Sequence, residues 1–177
     1  MLSHEHVLGL IHSNLKGQLS LKGKIQSSKH AYLVTEYLGH DSINLFDLIE
    51  SQKGAGFGES IGRFFFTQLL DAIEYIHEEV TICHRDLKLE NILLTGKLYL
   101  KVIDFGLSSG GDLSCVTGAV GSPSYVAPEV LTEDEYDGKK VDIFSLGVLL
   151  FVIVVGKFPH GPRILEDKYY ALIRAKR

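Results

Sequence analysis

The stretch "CHRDLKLEN", Cys83 to Asn91, decides how this chain reads. It places one acid, Asp86, between Arg85 and the Leu87–Lys88 pair, and follows it five residues later with Asn91. Just before it, Ile61, Phe65, Leu69, Ala72 and Ile76 fall at helical spacing, which predicts a long amphipathic helix through about Glu79. The turn "GFGES" supplies its start at Ser60 or Glu59. Just after it, "ILL" and "LYLKVI", split by "TGK", predict a small hairpin that ends at "DFG", Asp104 to Gly106. The nonapeptide is therefore a loop carrying Asp86, Lys88 and Asn91 between a long helix and a hairpin.

Further upstream, "HVLGLIHS" and "AYLVTEYL" read as two short strands, joined from Leu15 to His30 by what is expected to be an extended hairpin. "INLFDLIES" reads as a short helix. Downstream, "IFSLGVLLFVIVVG", Ile143 to Gly156, is a nearly unbroken apolar run of 14 residues. At about 1.5 Å per residue it is too short for a bilayer core of roughly 30 Å, so it predicts a fully buried helix and no membrane span.

Composition narrows the classes. With 177 residues, 45% apolar and 23% charged, the chain is long enough for one domain with a sizeable core. A net charge of −4, with no basic run beyond the terminal "RAKR", gives no footprint for nucleic acid. The N-terminus lacks the cationic and apolar pattern of a signal peptide, and Cys83 and Cys115 lack metal-ligand spacing. Free thiols of this kind fit an intracellular, cytoplasmic protein. "HEH", His4 to His6, lacks partners for a metal site, and His77 reads as a packed helix-end histidine.

"HRDLKLEN" matches the catalytic-loop signature of protein kinases, and "DFG" and "APE", Ala127 to Glu129, follow in the required order. The chain resembles the eukaryotic protein kinase superfamily over nearly its whole length. Lys88 after Asp86, together with "GSPSY", Gly121 to Tyr125, resembles the serine/threonine branch, nearest in texture to the calcium/calmodulin-dependent kinase group. "VDIFSLGVLLF", with Asp142 and Gly147, resembles the start of that family's central buried helix. The resemblance implies an α+β kinase-like fold. Residues 1–38 would be residual small-lobe strands and hinge, and 39–177 a mostly helical, incomplete large lobe. Within the latter lie a catalytic loop at 83–91, an activation segment at 104–129 and the buried helix at about 140–156.

The implied function is transfer of the ATP γ-phosphoryl group to a Ser or Thr hydroxyl of a protein substrate. Such transfer is mostly positioning and charge neutralisation, so a carboxylate is wanted where the acceptor hydroxyl must be oriented and relieved of its proton; Asp86 fits. Lys88 fits the cation that stabilises the phosphoryl oxygens. Asn91 and Asp104 offer hard oxygen ligands for Mg²⁺ or Mn²⁺ beside the nucleotide, though either alone would read as a turn or cap residue. By resemblance, Thr35 is the gatekeeper behind the adenine pocket, Glu36 and Leu38 bond the adenine edge through their backbone, and Leu93 floors the ring. His84 and Phe105 would pack beneath the site, with Asp142 holding the loop from below.

Glu90 stands where basophilic members carry an acid facing a substrate arginine, or it is simply solvated; Asn44 stands where a second acid is often found. Arg85 resembles the arginine that clamps a phosphorylated activation loop, yet the usual phosphothreonine position holds Gly118, with Thr117 one residue off. Either the loop shifts or that switch is not used. The family's Gly-rich loop, phosphate-anchoring lysine and partner glutamate find no residues here, and Glu129 is expected to be a buried carboxylate without its arginine, at a cost of about 3 to 5 kcal/mol. The 177 residues alone are therefore expected to be a poor kinase, dependent on a kinase partner or the missing small lobe. A truncated, non-catalytic, kinase-like binding or regulatory protein is the alternative, and a different phosphotransferase a third; intact Asp86, Lys88, Asn91 and Asp104 favour a kinase over the second, and the substrate-binding segment "GSPSYVAPE" speaks against the third.

Overall fold

The computed structural model describes residues 4–14, 18–21, 23–26 and 32–175. Four short strands come first: β1 (Leu10–Asn14), β2 (Gln18–Leu21), β3 (Gly23–Gln26) and β4 (Tyr32–Thr35). The first and last pair antiparallel. The middle two form the expected hairpin, with Leu19 opposite Ile25; the ends of that connection, 15–17 and 27–30, lie outside the described residues. The strand expected from His6 begins only at Leu10. Residues before Gly9 run instead beside a later strand, bridging Val7 to Val102 in parallel. The strand expected through Leu38 ends at Thr35, and Glu36 to Gly39 follow it outside any strand.

Two residues of β5 (Ile43–Asn44) lead into α1 (Leu45–Ser51). Asn44 sits at the helix N-cap, its Oδ1 accepting the Asp47 N–H at 2.8 Å, so a capping role accounts for the amide at that position. The long helix α2 (Gly58–Glu78) starts just before the expected Glu59. It buries Phe65, Gln68, Leu69, Ala72, Ile73 and Ile76. Ile61, assigned to that face by spacing, is 47% exposed. Gly62 faces the partner helix in its place, where an added Cβ would lie 2.6 Å from Val154.

After β6 (Ile82–Cys83) come the loop and the expected hairpin, β7 (Ile92–Leu94) and β8 (Leu100–Val102), in register Ile92–Val102, Leu93–Lys101 and Leu94–Leu100. Together with β5 they make a three-stranded sheet. The segment beyond carries β9 (Ser109–Gly110), β10 (Val116–Thr117), α3 (Pro128–Thr132) and β11 (Glu135–Tyr136). Next is α4 (Gly138–Val155), capped at its start by Asp137 and closed by Gly156 at φ 79°. A side chain at Gly156 would be strained by that left-handed backbone and would collide with the Gly54 carbonyl. The chain continues to α5 (Lys168–Ala175).

The apolar run of α4 is not wholly buried, contrary to the expectation: Ile143 is 55% exposed, and Phe151 and Val155 also lie open. A continuous apolar run carries no phase, whereas the helix packs along one stripe, Val141, Leu146, Leu149, Val152 and Ile153. That stripe meets α2, and the main core joins Leu69, Ile73 and Ile76 to Leu87, Leu89, Ile92, Leu100, Leu146 and Leu149. A second core gathers Cys83, Leu113, Val116, Val126, Val130, Tyr136 and Val141. The loop from Cys83 to Asn91 spans both: Cys83 is sunk in one core, Leu87 and Leu89 in the other, and its polar residues are held between them. Among the described residues no helix is long and apolar enough to cross a membrane.

Candidate active site

Asp86 is buried, and its carboxylate is the meeting point of the loop. Oδ2 accepts from Lys88 Nζ at 2.7 Å and from Asn91 Nδ2 at 3.2 Å. Oδ1 accepts from the Ser122 hydroxyl at 2.7 Å, and that hydroxyl in turn accepts from Lys88 Nζ at 3.0 Å. Asn91 Nδ2 also donates to the Asp86 carbonyl at 2.9 Å, which fixes the five-residue spacing as a closed turn. Nothing local in "GSPSY" marks Ser122 for the site. It reaches the site because Gly121, at φ 111°, lets the chain pass against the Arg85 carbonyl, where an added Cβ would sit at 2.8 Å.

The loop is held from below by one fully buried carboxylate, Asp142, which is 0% exposed. Its Oδ1 accepts the Arg85 N–H and its Oδ2 the His84 N–H, both at 2.8 Å, as the left-handed turn at Arg85 (φ 64°) aims successive amides at it. His77 Nε2 lies 2.8 Å from the same Oδ2. His77 is thus a buried helix-end residue, as expected, but with an ionic partner 65 positions away that spacing does not reveal.

His84 and Phe105 pack with ring centroids 4.9 Å apart. The Asp86 N–H donates to His84 Nδ1 at 3.3 Å, so Nε2 carries the proton and donates to the Ile103 carbonyl at 3.0 Å. Burial pushes the imidazole below its ordinary value, against the opposing pull of the Ile103 carbonyl and the nearby Asp142, Asp86 and Asp104 carboxylates. With the folded value lowered, this contribution to stability is fully present above the unfolded value of about 6.5 and is lost as pH falls from there through the folded value. Melting temperature in a pH series is expected to drop on the acid side of that window, and His84→Gln to flatten the drop. An identical slope in the variant would remove His84 as its source.

Asp104 adopts φ 61° and is exposed, its Oδ1 accepting the Gly106 N–H at 3.1 Å. It bonds to none of Asp86, Lys88 and Asn91 directly; the link is the Ile103 N–H donating to the Asn91 carbonyl at 2.9 Å. Asn91 has its amide nitrogen committed to Asp86, which leaves its side-chain Oδ1 and the Asp104 carboxylate as the hard donors on this side. Leu93 is half-buried on β7, on the face opposite the core side chains Ile92 and Leu94. Thr35 pairs with Leu10 at the end of β4. The Glu36 N–H donates to the Gly9 carbonyl at 2.9 Å, and among the described residues neither the Glu36 carbonyl nor the Leu38 N–H is taken up by another backbone group.

Arg85 reaches away from the carboxylate. Its Nε donates to the Leu107 carbonyl at 2.7 Å and its Nη1 to the Thr117 carbonyl at 2.8 Å and the Tyr136 hydroxyl at 3.3 Å. That hydroxyl donates to the Gly118 carbonyl at 2.6 Å. Glu129, expected as a buried carboxylate, is only partly buried at the start of α3, where water can meet its charge. Glu90 is exposed. Among the described residues, no group of three or more His, Cys, Asp or Glu side chains could hold a metal ion.

A family model described as "Protein kinase domain" matches residues 2–176. The chain is 42% identical over 154 residues to an abscisic acid-inducible protein kinase of Triticum aestivum, covering 85% of this chain and 44% of that protein. It is 44% identical over 153 residues to a serine/threonine-protein kinase of Arabidopsis thaliana, covering 85% and 42%, and 43% identical over 154 residues to one of Oryza sativa subsp. indica, covering 85% and 43%. The chain spans less than half the length of these relatives.

Proposed function

We propose, from the premise that this chain belongs to the protein kinase domain family, that it is the catalytic region of a serine/threonine protein kinase acting on Ser or Thr hydroxyls of protein substrates. The observation that carries the reading is the convergence of Lys88, Asn91 and the Ser122 hydroxyl on the single buried carboxylate of Asp86. In this reading residues 1–38 are small-lobe strands and hinge, and 39–177 are large lobe. The placement nearest the calcium/calmodulin-dependent group belongs to the same proposal and rests on sequence texture.

Asp86 orients the acceptor hydroxyl and takes up its proton; a hydroxyl, that of Ser122, already donates to Oδ1. Lys88, 2.7 Å from Asp86 Oδ2, keeps a positive charge where phosphoryl oxygens would gather and lowers the cost of the anionic site. The Asn91 side-chain Oδ1 and the Asp104 carboxylate suit Mg²⁺ or Mn²⁺, which prefers one or two protein oxygens and retained waters. When bound, ATP and the ion supply the transferred group and part of the charge neutralisation. The Glu36 carbonyl and Leu38 N–H would meet the adenine edge, with Thr35 behind it and Leu93 beneath. A groove of about 260 Å³ beside Ser122, lined by Ala119, Gly121, Pro123, Val126, Leu131 and Ile164, offers an apolar seat for a substrate chain.

The direct test is label transfer from γ-labelled ATP to Ser- and Thr-containing peptides by this region supplied with the small lobe on which transfer is expected to depend; incorporation on neither would sink the reading. For the metal, Asp104→Ala is expected to erase most of the divalent dependence of nucleotide binding by calorimetry. Equal ATP affinity of the unmutated protein with and without the ion would remove the metal role from Asn91 and Asp104.

A further inference from the structure

The Glu36 side chain is committed as firmly as its backbone. Oε1 accepts the Gly9 N–H at 2.7 Å and Lys101 Nζ at 2.8 Å, while the Glu36 N–H returns a bond to the Gly9 carbonyl. Lys101 sits on β8, directly opposite Leu93, and its ammonium also lies 3.4 Å from the Val7 carbonyl. The pair is sheltered, with side chains 13% and 34% exposed for Lys101 and Glu36. Burial pushes the Glu36 carboxyl up, but the Lys101 ammonium and the Gly9 N–H outweigh it and hold the group below its ordinary value. Beyond Glu36 the chain lies outside any strand as far as Gly39, which adopts φ 92°. Glu36 is therefore the last fixed point before the stretch that presents the Glu36 carbonyl and Leu38 N–H. Three residues beyond Lys101 on the same chain lies Asp104.

We propose that Glu36 and Lys101 are a positioning pair that sets the backbone edge of the 36–38 segment against Leu93 and the strand leading to Asp104, so that Lys101 governs nucleotide affinity without touching the nucleotide. The inference rests on the kinase reading above. A salt link between the segment and the strand holds two donor and acceptor groups at a fixed height over Leu93, and a site assembled from such fixed groups loses affinity when they drift.

The test is titration of a fluorescent ATP analogue, with peptide phosphorylation in parallel, on the unmutated protein, Lys101→Met, Glu36→Gln, the double variant and Lys101→Arg. Each of the first two single variants is expected to weaken nucleotide binding about five- to tenfold, and the double variant to be no weaker than the worse single one. Lys101→Met should raise the KM for ATP by the same factor with kcat changed less than about twofold, and Lys101→Arg should restore most of the affinity. Unaltered affinity in Lys101→Met, or a double variant whose loss is the product of the two, overturns the pair while Asp86-dependent transfer leaves the kinase reading standing. An unmutated protein that binds no nucleotide overturns both. If Lys101→Met unfolds, Glu36→Gln, which keeps shape and loses charge, decides by the same comparison.

Discussion

Asp86→Asn is expected, in any active longer form that contains this region, to lower phosphoryl transfer by about 100- to 10,000-fold while nucleotide affinity stays within about twofold. The amide keeps the shape of the carboxylate, and its oxygen can still accept from Lys88 or Asn91, so the loop survives. What disappears is the capacity to take up a proton, together with the negative charge opposite Lys88 Nζ. Radiolabelled transfer beside titration of a fluorescent ATP analogue separates the two effects. Near-normal turnover in the variant would remove Asp86 from the chemistry and with it the central assignment of the site. Parallel loss of binding and turnover would make it a structural residue.

The largest stability effect is expected at Asp142. Its two oxygens serve the His84 and Arg85 amides and His77 Nε2, at a side chain with no exposed surface. Asp142→Ala leaves these buried donors without their carboxylate acceptor, a loss of about 3 to 5 kcal/mol, which for a chain of this size lowers the melting temperature by roughly 6 to 20 °C. Asp142→Asn keeps one acceptor oxygen for three donors and should fall in between. Thermal unfolding followed by circular dichroism measures it, and a shift of only a degree or two in the alanine variant would mean that the loop is held by its leucines alone.

Much of the site was legible because its residues are near neighbours with unusual chemistry. "HRDLKLEN" encloses an acid, a lysine and an amide whose contacts with one another close within five positions, and the structure brings Asp86, Lys88 and Asn91 together as spaced. The contacts that stayed hidden join distant residues of ordinary type: Ser122 to Asp86, His77 to Asp142, Lys101 to Glu36. Nothing local in a serine, a histidine or a lysine announces a partner on another element. The helices were legible in kind but less so in phase. Ile61 fits the apolar period at the first turn of α2, yet the close approach at Gly62 sets the contact there, and the uniform run of α4 conceals which stripe faces inward.

The reach of Arg85 toward Leu107 and Thr117 has a thermodynamic consequence. Each bond from the guanidinium to a carbonyl is exposed to water and favours the ordered segment by about 0.5 to 1.5 kcal/mol, which offsets part of the conformational entropy of ordering that stretch before any covalent charge is added. A phosphate attached nearby shifts the population only by its differential affinity for ordered and disordered forms, and it would meet a guanidinium whose Nε and Nη1 already serve this segment. Order in this segment is thereby coupled to the integrity of the loop that carries Asp86: loosening one loosens the other, whatever the modification state.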